Sequence, residues 1–310
     1  MPARSLSKAG APLGRSMFSA LTLFAAATGV IAITGESGAT VPPVRREYGA
    51  AQSLGDGQIR TYVLRDPARG TPVEIGVAFT EAAMDNLPAA KPGAHHDPKD
   101  PHALHASMTE VLLELPENHG TQFRFVEVNW NPAGHEPPGV YDLPHFDFHF
   151  WNVAKSEREL IVPSNPQYVE NARNAPDGQH ARAFFVNPAV ALNAPAEAVA
   201  VPKMGVHWVN AKSPELQGMV GNPEGFKPFT ATYIQGAWAG KFIFEEPMIT
   251  RAHIMSKRSA ADSAGRDEII PLTSAVKASP AGYYPSAYRI TYDAASREYR
   301  VALTQLSYRE

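Results

Sequence analysis

Residues 144 to 151 read Pro-His-Phe-Asp-Phe-His-Phe-Trp, and their spacing carries more chemistry than any other stretch of the chain. Successive side chains of an extended strand point to opposite faces. As a strand, the segment puts His145, Asp147 and His149 on one face and Phe146, Phe148 and Phe150 on the other. The phenyl face is built for burial in a core. The opposite face offers two imidazoles about a carboxylate. That set makes a metal site, a hydrogen-bonded polar network or a solvated surface. The apolar, aromatic flanks argue against the last.

Same-side neighbours on a strand sit about 6.6 to 7 Å apart, so adjacent members can share an ion, whereas His145 and His149 meet only if the strand bends. Either both histidines converge across a bulge, with Asp147 as ligand or orienting acceptor, or one histidine and Asp147 join ligands from elsewhere. His207 stands in Met-Gly-Val-His-Trp-Val, His135 and Glu136 in a Pro- and Gly-rich loop before the motif, and Glu245 and Glu246 just before Pro247. Imidazoles with a carboxylate suit Zn, Fe, Mn, Cu or Ni far better than Ca. The expectation is one divalent transition metal held by ligands drawn from His145, Asp147, His149, His207, His135 and Glu246.

Two histidines and one carboxylate with open positions would be catalytic, and four protein ligands would be structural. A catalytic site would activate a bound water, with Glu136 or Glu246 as the base of a hydrolytic or oxidative reaction. The alternative is a non-catalytic binding or assembly module whose histidines are structural. His95, His96, His102 and His105 also cluster, but in a Pro-rich stretch that reads as a solvated loop. Trp130, Trp151 and Trp208 read as core anchors beside the motif segments.

Other chemistries find no support. Gly236-Ala-Trp-Ala-Gly-Lys-Phe is one residue short of a phosphate loop and lacks its closing Ser or Thr. No G-x-S-x-G, H-E-x-x-H or G-x-G-x-x-G run occurs. The chain contains no cysteine, which removes thiol chemistry, disulfides and a lipidated cysteine. A formal net charge of -3 with scattered basic residues argues against nucleic acid as a partner. A small-molecule ligand and a homo-oligomer both remain open.

The elements that must position these residues are short strands. The 28 prolines disfavour long helices and central strands alike. Alternation and turn residues predict strands at 59–65, 72–80, 108–115, 122–130, 141–151, 205–210, 230–235 and 241–246, with 249–255 continuing the sheet. Residues 287–292 and 299–308 predict a closing hairpin, and 155–175 short helical pieces broken by Pro163 and Pro166. The fold class is mainly β, an antiparallel barrel-like or sandwich domain with a few short helices.

Ahead of it, Arg4, Lys8 and Arg15 precede an apolar run from Met17 to Ile33 and a small, polar stretch to Thr40. This order predicts an export signal, or failing cleavage an N-terminal anchor, and hence a periplasmic or extracellular protein. The expected organisation is a leader over 1–40, a β-rich metal-site domain over 41–256 and a C-terminal hairpin extension over 257–310. No apolar segment beyond the leader is long enough to span a bilayer as a helix.

The runs Trp130-Asn-Pro-Ala-Gly-His-Glu-Pro, Pro144-His-Phe-Asp-Phe-His-Phe, Met204-Gly-Val-His-Trp and Glu246-Pro-Met-Ile-Thr together resemble a family of uncharacterised exported bacterial proteins, catalogued as a domain of unknown function. The resemblance spans roughly residues 55 to 255. It implies a β-rich, barrel-like fold and a metal site at His145, Asp147, His149 and His207, and supplies no activity. The His-rich loop and the segment beyond 256 lie outside it.

Overall fold

Alternating residues in short, turn-punctuated runs become two antiparallel sheets that share one apolar core. The computed structural model describes residues 45–91, 107–177, 185–272 and 280–310. The expected leader and the histidines at 95, 96, 102 and 105 lie outside them.

Arg46–Tyr48 (β1), Gln52–Leu54 (β2), Gly57–Arg65 (β3) and Pro72–Thr80 (β4) open the first sheet. Thr109–Glu114 (β5), Phe125–Asn131 (β6) and His145–Trp151 (β7) begin the second. Two short helices, Lys155–Arg158 (α1) and Tyr168–Arg173 (α2), follow. Next come Phe185–Val186 (β8), helices Pro188–Ala191 (α3) and Ala196–Val199 (α4), Ala200–Val201 (β9) and Gly205–Asn210 (β10). Ala231–Trp238 (β11) and Lys241–Thr250 (β12) complete that sheet and lead into the helix Arg251–Ser259 (α5). The chain finishes with Asp267–Pro271 (β13), Gly282–Tyr284 (β14), Ala287–Asp293 (β15), Glu298–Thr304 (β16) and Ser307–Arg309 (β17).

The first sheet runs β1-β3-β4-β16-β15-β13, with β2 beside β3, and the second β5-β6-β7-β12-β11-β10-β8, with β9 beside β10. One of the sheets is a half-barrel. The mainly-β architecture expected from the sequence is therefore what the chain adopts. Strand β16 sits between β4 and β15, so the C-terminal hairpin is central to the first sheet. Among the described residues no helix is long and apolar enough to cross a membrane.

The phenyl face of β7 forms the contact between the sheets. Phe79 of β4 stacks on Phe146 and Phe148, with ring centroids 6.2 and 6.3 Å apart, and Trp130 packs on Phe146 at 4.7 Å. Each phenyl ring removed from water there stabilises the fold by about 1.5–3 kcal/mol. Because strand side chains repeat every two residues, this packing fixes the register and commits His145, Asp147 and His149 to the face turned away from the first sheet. Trp130, Trp151 and Trp208 are all buried.

Three expectations need correction. Residues 141–144 are not strand, and β7 begins at His145. The strand expected to stop at Glu246 runs through Pro247 to Thr250. Proline has no N–H to give a ladder, and the β7–β12 ladder is interrupted where it falls, between the Glu245–Phe150 and Met248–Asp147 pairs. Beyond Thr250 the sheet does not continue. Thr250 accepts a hydrogen bond at its side chain from the His253 N–H and caps α5.

Candidate metal centre

The polar face of β7 continues onto both neighbouring strands. On β6, Asn131, Asn129 and Glu127 stand opposite His145, Asp147 and His149, and all six are buried. On β12, Thr250 and Met248 stand opposite His145 and Asp147, and Glu246 shares their face two residues earlier. On β10, His207 lies opposite Gly236 of β11, which in turn pairs with Phe244 of β12. Val140, Tyr141, Leu216 and Phe229 cover part of this face, packing with Ile234 and Met248.

The six residues expected as ligands fall into two triads rather than one centre. His135, His145 and Asp147 form one group, and His149, His207 and Glu246 the other, and within each the facing ligand atoms lie within 4.8 Å of one another. Each triad could hold a metal ion. The reason for the division is the strand itself. It stays extended, so His145 and His149 do not converge, and each collects partners from its own side of the sheet.

In the first triad the two imidazole centroids are 4.6 Å apart. His145 Nδ1 lies 2.6 Å from the Leu143 carbonyl, and His135 Nδ1 2.8 Å from the Glu136 carbonyl. A carbonyl only accepts, so each ring donates from Nδ1 and turns Nε2 elsewhere. Both Nε2 atoms face Asp147, at 3.2 Å from Oδ1 for His145 and 3.5 Å from Oδ2 for His135. A neutral ring in that pose aims a lone pair at a carboxylate, which requires a second proton or a cation between them. Asn131 donates to Asp147 Oδ2 at 2.7 Å, whereas among the described residues His145 Nε2 and Asp147 Oδ1 find no hydrogen-bond partner beyond each other. Burial alone would raise Asp147, but His145 and His135 hold its carboxyl well below the usual range. Burial pulls His135 down, and Asp147 and Glu136 outweigh it, leaving that ring above its ordinary value.

In the second triad, Glu246 Oε1 is 3.5 Å from His149 Nε2 and Oε2 is 3.8 Å from His207 Nε2. Glu246 is buried, and among the described residues its Oε2 accepts no hydrogen bond. Burial first, then the charges of Asp147 and Glu127, pushes its carboxyl well above the usual range. The Phe244 ring touches both imidazoles, with centroids 4.7 Å from His149 and 5.3 Å from His207.

Two residues of this face escaped the sequence reading. Arg158 of α1 forks onto Glu127, Nε to Oε2 at 2.8 Å and Nη2 to Oε1 at 2.7 Å, and also pairs with Glu110. Trp151 and Asn129 donate to the same carboxylate. Burial pushes Glu127 up to about 7 against the pull of that guanidinium. The signal was present in Phe-Val-Glu-Val-Asn-Trp-Asn over 125–131, which alternates polar and apolar as the motif does. Glu245, by contrast, is not of this site. It sits on the opposite face, where Tyr233 and Gln235 donate to it.

Beside the second triad lies a cavity of about 310 Å³. His207, His135 and Glu136 line it, with walls of aliphatic side chains from β8, β9, β10, α3 and α4.

A model of the family described as TTHB210-like (Hypothetical protein TTHB210) matches residues 68–130. No curated protein and no solved structure matches the chain. The similarity covers β4 to all but the last residue of β6. It is therefore a likeness of framework to a family of hypothetical proteins, and it ends before the first of the six candidate ligands.

Proposed function

We propose that this chain is an exported, metal-dependent enzyme in which His149, His207 and Glu246 hold one divalent transition metal ion, Zn, Fe, Mn, Cu or Ni. Two imidazoles and one carboxylate leave coordination positions open. The observation that carries the reading is the state of Glu246. A carboxylate buried between imidazoles, with Asp147 and Glu127 on the same face, is costly without a cation. Such an ion would supply a bound water of lowered pKa or polarise a carbonyl. Glu136, which lines the adjoining cavity, is the residue available to move a proton there. A hydrolytic or oxidative reaction follows from that chemistry, and the basic and apolar leader supports export from the cytoplasm.

For the first triad a second reading has its own support. His135 and His145 face Asp147 at 3.5 and 3.2 Å, and Asn131 donates to the same carboxylate, an arrangement that also fits a paired polar network without a metal. In that reading the face is structural there, and only the second triad takes an ion.

Elemental analysis of the purified chain, equilibrated with divalent metals and desalted, tests the proposal. We expect near-stoichiometric metal that is lost in His207→Ala and Glu246→Gln and kept in His145→Ala. Trace metal unchanged by those substitutions would falsify the proposal.

A further inference from the structure

We infer that the ligand of this site is a small molecule with an aliphatic body and a single oxygen-bearing end. The argument starts from the cavity wall. Val186, Leu192, Val199, Val201, Val209 and Ile234 are among the aliphatic side chains that line it, and Tyr141 is the one benzenoid ring among the described residues lining it. Its volume, about 310 Å³, is at the small end of ligand pockets. Among the described residues no Lys or Arg lines it, so a phosphate would find no countercharge. Its polar side chains are His135, Glu136, His207 and the Tyr141 hydroxyl, too few to satisfy a sugar or nucleoside, whose unmatched hydroxyls would be desolvated at a cost.

The lining also grades from buried to exposed. His135 and Tyr141 are buried and Glu136 and His207 half-buried, whereas Leu192, Met219 and Val220 are exposed to 56, 51 and 58 % and form the mouth. An amphiphile entering between these three would bring its polar end to the side lined by His135 and His207, one member of each triad. The orientation of the polar end rests on the metal reading above, and the preference for an aliphatic body does not.

Titration calorimetry on the zinc-equilibrated full chain separates the two. Octanohydroxamate should bind at least tenfold more tightly than acetohydroxamate. The exposed double variant Leu192→Asp/Val220→Asp should narrow that gap below threefold and leave zinc content unchanged. Equal affinities for the two probes on a zinc-loaded chain would overturn the cavity assignment and leave the metal reading standing. If the chain takes up no zinc, the same comparison is made with octanoate and acetate. A preference for octanoate then supports the aliphatic assignment while the metal reading falls, and no preference sinks both.

Discussion

His149 and Glu246 face each other from adjacent strands, with Nε2 and Oε1 3.5 Å apart at the point where the β7–β12 ladder is interrupted. Both side chains are buried, and the carboxyl is held well above its usual range by burial and by Asp147 and Glu127. The protein thus keeps a destabilised carboxyl in its interior, and a divalent cation would relieve it. Glu246→Gln removes the carboxylate while retaining its shape. The metal-free variant should melt at or above the native temperature, because an unfavourable burial has been removed. Native protein at zinc a hundredfold above Kd should gain about 2.7 kcal/mol, and the variant none of it. Thermal denaturation of both proteins with and without zinc checks this. A native melting temperature indifferent to zinc defeats the expectation.

Glu245, one residue away, faces the other side of the sheet and gives a pH dependence. Burial raises its carboxyl to about 8, with Arg309 pulling the other way. In the unfolded chain a glutamate titrates at about 4.3. Between those values the folded state holds a proton that the unfolded state has lost, so stability is fullest below about pH 4.3 and declines as pH rises toward about 8. The slope from this one group is at most about 1.4 kcal/mol per pH unit. Glu245→Gln cannot titrate and should flatten the urea-derived stability across that window relative to native protein. Parallel curves for the two proteins would show that Glu245 is charged throughout.

Local rules carried the strand pattern a long way. The alternation in 145–151 and 72–80 is a property of consecutive residues, and packing of Phe146 and Phe148 on Phe79 preserves it in the fold. The partition of the six candidate ligands was not legible, because it depends on which strands lie beside β7. Glu246 arrives from a strand about a hundred residues later, and His135 from a loop in which its own N–H donates to the Tyr141 carbonyl, with Tyr141 packed on the distant Phe229. The helix α5 was missed for a different reason. Its apolar residues Ile254 and Met255 read as strand, while the Thr250 cap, the local signal that starts it, acts through a single hydrogen bond. Arg158 was invisible because a four-residue helix must dock before its guanidinium meets Glu127.

Gly236 gives a test of how tightly the second triad is positioned. A Cβ at Gly236 would lie 2.1 Å from both Cε1 and Cζ of Phe244, so the bare glycine is what lets that ring lie across β11. The same ring packs edge-on to His149 and is tilted against His207. Gly236→Ala must displace the phenyl group on which both imidazoles pack, and overpacking of this kind costs about 1–3 kcal/mol. Gly76, in the first sheet, is also crowded, with the Ala302 Cβ at 2.6 Å from the position of its own absent Cβ, but it touches neither triad. Both alanine variants should therefore lose stability in urea, while only Gly236→Ala should lose zinc affinity, by about tenfold if the strain at the imidazoles reaches 1.4 kcal/mol. Equal zinc affinity in the two variants would mean that Phe244 packs beside the histidines without setting their position.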